Sequence, residues 1–228
     1  MKKTKIAITI FSMITIGIIG WYAKTSLDDN KNSDSATQQK MLDNGMDDHI
    51  FGKEMYLDAK LDEFNNLDDV EKKTDAIVIA EKISQDAPTI LYGVEGRIDI
   101  AYTLSTFQVK KVVSSEVLKS GDTFTMLENE AYDKKQDVTY HIAGYHRINQ
   151  GQDYLLFLQQ SDTDPYYIVT GVNYGKVNLE ENETDYPKEL RKADTEYSRE
   201  ILSKYAHQEN IRADAKRKYA EFIDASTK

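Results

Sequence analysis

Apolar residues crowd the first 23 positions, a long polar stretch follows, and apolar runs resume near Asp75. Between Ile6 and Ala23 no residue is charged. Built as a helix, that run would rise roughly 27 Å, close to the thickness of a bilayer's hydrocarbon core. Lys2, Lys3 and Lys5 precede the run and Lys24 alone closely follows it, a bias that holds the N-terminus inside. Trp21 and Tyr22 stand at the exit, where amphipathic rings suit the membrane interface. The pattern predicts a single-pass anchor at residues 1–23, with everything after it outside the cell. The alternative is secretion after signal cleavage. Cleavage requires small residues two apart, yet Trp21 stands two before Ala23, Ile18 two before Gly20 and Lys24 two before Ser26.

Residues 24–65 read as a tether. Ser26–Gln39 is rich in Asp, Asn, Ser and Gln, with Leu27 its one large apolar residue, too little to drive folding. Leu57, Leu61 and Phe64 share a face at helical spacing, so a short helix is expected across Lys53–Phe64. A domain is expected over 66–180. It opens on a helix capped by Asn66, with acids in its first turn and lysines in its last. Strands follow at Asp75–Ile83, Ile100–Val113, Asp122–Asn129, Asp137–Gly144, Asp153–Gln159, Tyr166–Gly171 and Gly175–Leu179, the last two as a hairpin about Asn173–Gly175. Asp75–Ile83 and Asp153–Gln159 are nearly unbroken in apolar character, the mark of strands buried on both faces. In Ile100–Val113, Tyr102 and Leu104 differ in parity from Phe107 and Val109, which predicts a bulge near Ser105–Thr106. The segment containing Pro88, Gly93 and Gly96 reads as a loop.

No helical pattern long enough for parallel crossovers separates these strands, so the expected fold is α+β: a small antiparallel, OB-like β-barrel followed by a C-terminal helical segment over 181–228. Within that segment the apolar repeat of Tyr197, Ile201 and Tyr205 is out of phase with that of Ile211, Ala215, Tyr219 and Phe222. The mismatch predicts a drift or break near His207–Asn210. The narrow stripe is expected to pack on its own domain.

Composition narrows the functions. Acidic residues number 39 against 29 basic ones, and the formal net charge is −10. With three of the lysines ahead of the apolar run, the external part is more acidic still and disfavours nucleic acid as a partner. The 228 residues include no cysteine. For an external protein of this size, that absence and the Lys, Asp, Asn and Ile bias suggest a bacterium with a single membrane.

A resemblance rests on four stretches: Thr74–Ile79 (TDAIVI), Phe107–Val112 (FQVKKV), Lys119–Thr123 (KSGDT) and Ile148–Leu158 (INQGQDYLLFL). Across residues 66–180 they resemble uncharacterised cell-surface proteins of Gram-positive bacteria. More faintly, the region resembles the OB-like barrel of netrin and metalloproteinase-inhibitor domains. The shared motifs are structural and carry no chemistry. Ala80 stands where the pattern usually has glycine, and the inhibitors' metal-ligating N-terminal cysteine has no counterpart, so protease inhibition is not implied.

Candidate chemistry is sparse. His141 and His146, five apart, would point to opposite faces of one extended strand, and no zinc-binding histidine spacing occurs. Neither a metal nor a cofactor is therefore expected. Asp162 and Asp164 lack the further ligands of a calcium loop. Glu95, Glu128, Glu130 and Asp133 supply carboxylates for a rival reading, an envelope hydrolase working in a cleft between barrel and helix. Among the tyrosines, Tyr140, Tyr145, Tyr166, Tyr167 and Tyr174 are the candidate binding residues, since tyrosine gives contact area at low entropic cost. Strand alternation requires Tyr166 and Tyr167 to face opposite sides. The functional expectation is a membrane-anchored external module that binds an envelope protein or polymer, and not an enzyme.

Overall fold

The computed structural model describes residues 53–57, 59, 62–180 and 196–224. The expected anchor at Ile6–Ala23 and the tether up to residue 52 lie outside them. Among the described residues no helix is long and apolar enough to cross a membrane.

The chain is mainly β with a few helices. Its elements are β1 (Lys53–Leu57), α1 (Leu67–Lys72), β2 (Ala76–Gln85), β3 (Thr89–Tyr92), β4 (Ile98–Ser115), β5 (Thr123–Glu128), β6 (Glu130–Asp133) and β7 (Val138–Ile142). They continue with β8 (Asp153–Gln160), β9 (Tyr167–Val169), β10 (Lys176–Asn178), α2 (Glu196–Lys218) and α3 (Ala220–Asp224).

Hydrogen bonding joins β2 to β4, β4 to β5, β5 to β9, β9 to β8 and β8 back to β2, a ring of five strands. All of these pairs are antiparallel except β5–β9. The ring encloses Val78, Ala80, Phe107, Val109, Phe124, Met126, Tyr154, Leu156 and Leu158. These residues alternate along their strands, as period-2 packing requires.

The two densest strands are covered on both sides, as their unbroken apolar runs predict. Ile77 and Ile79 of β2, Leu155 and Phe157 of β8 and Val177 of β10 face outward beneath Phe64, α1 and α2. On α1, Asn66 accepts the Asp69 backbone N–H at 3.0 Å, the expected cap. α2 runs unbroken through His207–Asn210; its interruption is at Tyr219. From Tyr205 to Ala215 one buried stripe runs through the expected break, because polar Gln208 and Arg212 are buried in it. Arg212 is satisfied there by the Asn173 carbonyl at 2.9 Å.

Several local expectations fail for tertiary reasons. Lys53–Leu57 is a strand and not a helix: it pairs in parallel with β7, from Lys53 opposite Val138 to Leu57 opposite Ile142. A backbone edge was free there, and helical spacing over so short a segment is a weak competitor. Thr89–Tyr92, expected as loop, folds onto the start of β4. β9 and β10 form no hairpin; both lie along β8, opposite its C-terminal and N-terminal halves. Finally, β4 is regular from Thr103 to Gln108 along β5. The register shifts against β2 fall at Ile77/Val78, Ile79/Ala80 and Lys82/Ser84.

Candidate functional site

The irregularity near Ser105–Thr106 lies in β2, where Ile83 is the extra residue between Lys82 opposite Phe107 and Ser84 opposite Thr106, so β4 keeps its alternation there. Ala101, Thr103, Ser105, Phe107 and Val109 all point inward, so Tyr102 and Leu104 stay outside, half-buried. On β5, Phe124, Met126 and Glu128 point inward while Leu127 stays outside, and on β9 Ile168 does so between buried Tyr167 and Val169. Leu104 is paired with Leu127, and Leu127 with Ile168. An apolar row therefore crosses three adjacent strands on the side of the ring away from the helices. Tyr166 continues this surface, half-buried, close to Tyr102 and Asp164. Burial and the Asp164 charge push its hydroxyl above the ordinary tyrosine range. Beside the row, the β3–β4 hairpin carries exposed Leu91, Tyr92, Val94 and Ile100.

The five tyrosines singled out from sequence do not assemble into one patch. Tyr145 and Tyr167 are buried inside the ring, Tyr174 lies under the helices, and Tyr140 packs in the small core of β6, β7 and the hairpin. Their rings fill core space and cannot serve as recognition surface. Of the five, Tyr166 alone has the exposure for recognition. Leu104, Leu127 and Ile168, beside it on the same face, are not among the candidates named from sequence; the parity change in β4 is the signal that points to them.

Of the candidate carboxylates, Glu128 and Asp133 are engaged internally, and the Glu95 side chain lies outside those described. Glu128, wholly buried, accepts from Lys82 Nζ at 2.8 Å, Tyr145 Oη at 3.2 Å, the Ile148 N–H at 2.6 Å and the Ser105 hydroxyl. Asp133 accepts the Lys135 N–H at 2.8 Å and the Tyr92 hydroxyl. Between the ring and the C-terminal helices lies a cleft of 250 Å³ lined by Glu71, Asp75, Ser114 and Tyr219. Glu71 there is bound by Lys218 at 2.6 Å and by the Tyr219 hydroxyl at 2.6 Å. Asp75 accepts the Gln160 N–H at 2.9 Å. Carboxylates held this way belong to the hydrogen bonding of the fold.

Glu130 has different company. It lies directly across from His141 in the β6–β7 ladder, and Tyr56 of β1 lies on the other side of His141. His141 Nδ1 stands 3.1 Å from Glu130 Oε2 and 3.0 Å from the Tyr145 carbonyl. The Tyr56 ring stacks on His141 with centroids 4.8 Å apart. Burial works to raise the Glu130 pKa; the His141 hydrogen bond and the His141 and Arg147 charges overcome it and hold the carboxyl at about 2.

His146 joins this group because β7 does not continue. Ala143 and Gly144 both have positive φ, 54° and 68°, and the Tyr145 N–H returns to the Ile142 carbonyl at 3.1 Å. Two left-handed residues in succession make a type I′ turn. The chain reverses and brings the His146 ring to 4.5 Å from that of His141. The turn is pinned from both sides: Asn173 Nδ2 donates to the Ala143 carbonyl at 2.9 Å and Tyr205 Oη to the Gly144 carbonyl at 3.2 Å. A Cβ at Gly144 would lie 1.7 Å from the Tyr205 oxygen, so any other residue must push that hydroxyl aside and take a strained left-handed backbone.

Neither a protein-family model nor a curated protein matches this chain.

Proposed function

We propose that this chain is a membrane-anchored, extracytoplasmic binding module, built on an OB-like barrel, that holds another envelope protein against the outer face of β4, β5 and β9. The observation that carries the reading is the row Leu104–Leu127–Ile168, half-buried and lying outside all three apolar clusters. In the ring order, β2, β4, β5, β8 and β9 correspond to the five strands of an OB barrel. The face of its second and third strands, here β4 and β5, is where such barrels hold ligands. The acidic chain favours a partner with basic residues around an apolar centre. Anchoring rests on the uncharged run Ile6–Ala23.

Site-specific photo-crosslinking in intact cells tests this. A probe at Leu127 or Ile168 should give one discrete adduct that a probe at exposed Lys134 does not. Leu127→Lys should abolish the adduct from Ile168 without moving the thermal midpoint, since surface changes stay within ~0.5 kcal/mol. In the same cells the intact N-terminal peptide should stay with the membranes while external protease removes the domain. No position-dependent adduct, or an adduct that is a second copy of this chain, would overturn the partner. A mature N-terminus between residues 20 and 30 would overturn the anchor.

A further inference from the structure

Glu130, His141 and His146 each offer a ligand atom, and the three atoms lie within 4.8 Å of one another. We propose that these residues bind one divalent transition-metal ion, zinc by preference, at the junction of β1, β6 and the β7 turn.

The geometry suits one ion. Two metal bonds of about 2.1 Å, at angles from roughly 95° to tetrahedral, separate their ligand atoms by about 3.1–3.4 Å. His141 Nδ1 and Glu130 Oε2 already stand at 3.1 Å. An ion there would take the place of the Nδ1 proton, which has two acceptors in reach, Glu130 Oε2 and the Tyr145 carbonyl. His141 Nε2 is buried with no hydrogen-bond partner. Without an ion the Tyr145 carbonyl favours a proton on Nδ1; with a metal on Nδ1 the proton moves to Nε2. His146 has to close the largest gap. It stands half-buried on the loop beyond the Ala143–Gly144 turn, where a shift of about 1 Å disturbs no strand pairing.

The surroundings fit a metal as well. Tyr56 stacks on His141 and stands 6.1 Å from His146, covering one side of the site. Arg147 Nε approaches the other carboxylate oxygen, Oε1, at 3.5 Å, and so orients Glu130 without occupying the atom assigned to the ion. The Tyr145 carbonyl, 3.0 Å from His141 Nδ1, is the nearest further oxygen. Two imidazoles and one carboxylate select borderline ions such as zinc over calcium or magnesium, which require all-oxygen shells. The ligands come from β6, β7 and the loop after it, with β1 as a wall. The ion would therefore tie the small sheet to the turn that Asn173 and Tyr205 hold.

The test uses the full-length protein purified in detergent and stripped with a chelator, with zinc chloride as probe in calorimetry and cobalt(II) in visible absorption. Wild type should bind one zinc per chain, and cobalt should show the intense d–d bands of a four-coordinate nitrogen and oxygen site. His146→Ala, which removes a half-buried loop side chain and keeps the fold, should weaken zinc at least ~100-fold and abolish the bands. His207→Ala, outside the cluster, should bind as wild type does. Zinc that binds substoichiometrically in wild type, or equally well in His146→Ala, would overturn the site, as would a weak, six-coordinate cobalt spectrum.

Discussion

Replacing Lys82 with methionine should destabilise this protein more than the loss of any surface charge. Lys82 and Glu128 face each other at 2.8 Å, with side-chain exposures of 1% and 0%. At that distance, with an effective dielectric constant of about 20, their attraction is about 6 kcal/mol. Much of it offsets the cost of bringing both charges out of water. Lys82→Met has the size of the lysine stem but leaves the carboxylate without a counter-charge. The Ser105, Tyr145 and Ile148 donors remain, and the net loss should be about 3–5 kcal/mol. Glu128→Gln should cost a similar amount by removing the ammonium's counter-charge, although the ammonium also donates to the Ile148 carbonyl at 2.8 Å. The double variant Lys82→Met/Glu128→Gln removes both charges together and should be at least ~2 kcal/mol more stable than the sum of the single losses. Urea unfolding followed by far-ultraviolet circular dichroism reads all three. With a slope of about 2 kcal/mol/M, the single variants should shift the midpoint by roughly 2 M. A Lys82→Met loss below ~1 kcal/mol, or single losses that simply add, would show that the pair is not the buried, coupled unit described.

Two further outcomes follow from the Glu130 group and its turn. The Glu130 pKa, held at about 2 against an ordinary 4.5, contributes stability that is complete above about pH 5 and is lost as pH falls through 2. Its size is about 3 kcal/mol. The stability gap between wild type and Glu130→Gln in chelator-treated samples should shrink by that amount from pH 6 to pH 2, and a gap independent of pH would refute the shift. Gly144→Ala should cost about 2–3 kcal/mol, from a left-handed alanine and the collision with Tyr205. In a Tyr205→Phe background, which removes the colliding oxygen, the thermal-melt cost should fall to about 1–2 kcal/mol; an unchanged cost would refute the contact.

Much of the fold could be read from sequence because it follows from local chemistry. Buried strands need apolar residues on each covered face, so β2 and β8 announced themselves, and alternation gave the inward residues Phe124 and Met126 of β5. The Asn66 cap needs only an acceptor three residues before a free N–H. The candidate sites were less legible. The parity of Tyr102 and Leu104 mimics a bulge in the sequence, while in the fold those side chains stay on the uncovered face. The break expected in α2 failed because Gln208 and Arg212 are polar by type yet buried by position.

The sequence alone determined the uncharged N-terminal run, the acidic balance, the mainly β character and the apolar helical stripe, all of which depend on residues near one another in the chain. Only the tertiary structure decided which strand edges close the ring, that Lys53–Leu57 adds to β7, and which sheet face the helices leave open. It also decided that Glu130, His141 and His146 meet. Their meeting depends on a reversal at Ala143–Gly144 held by Asn173 and Tyr205. Those partners lie 30 and 61 residues further on, and no pattern along the strand carries information about contacts made at that separation.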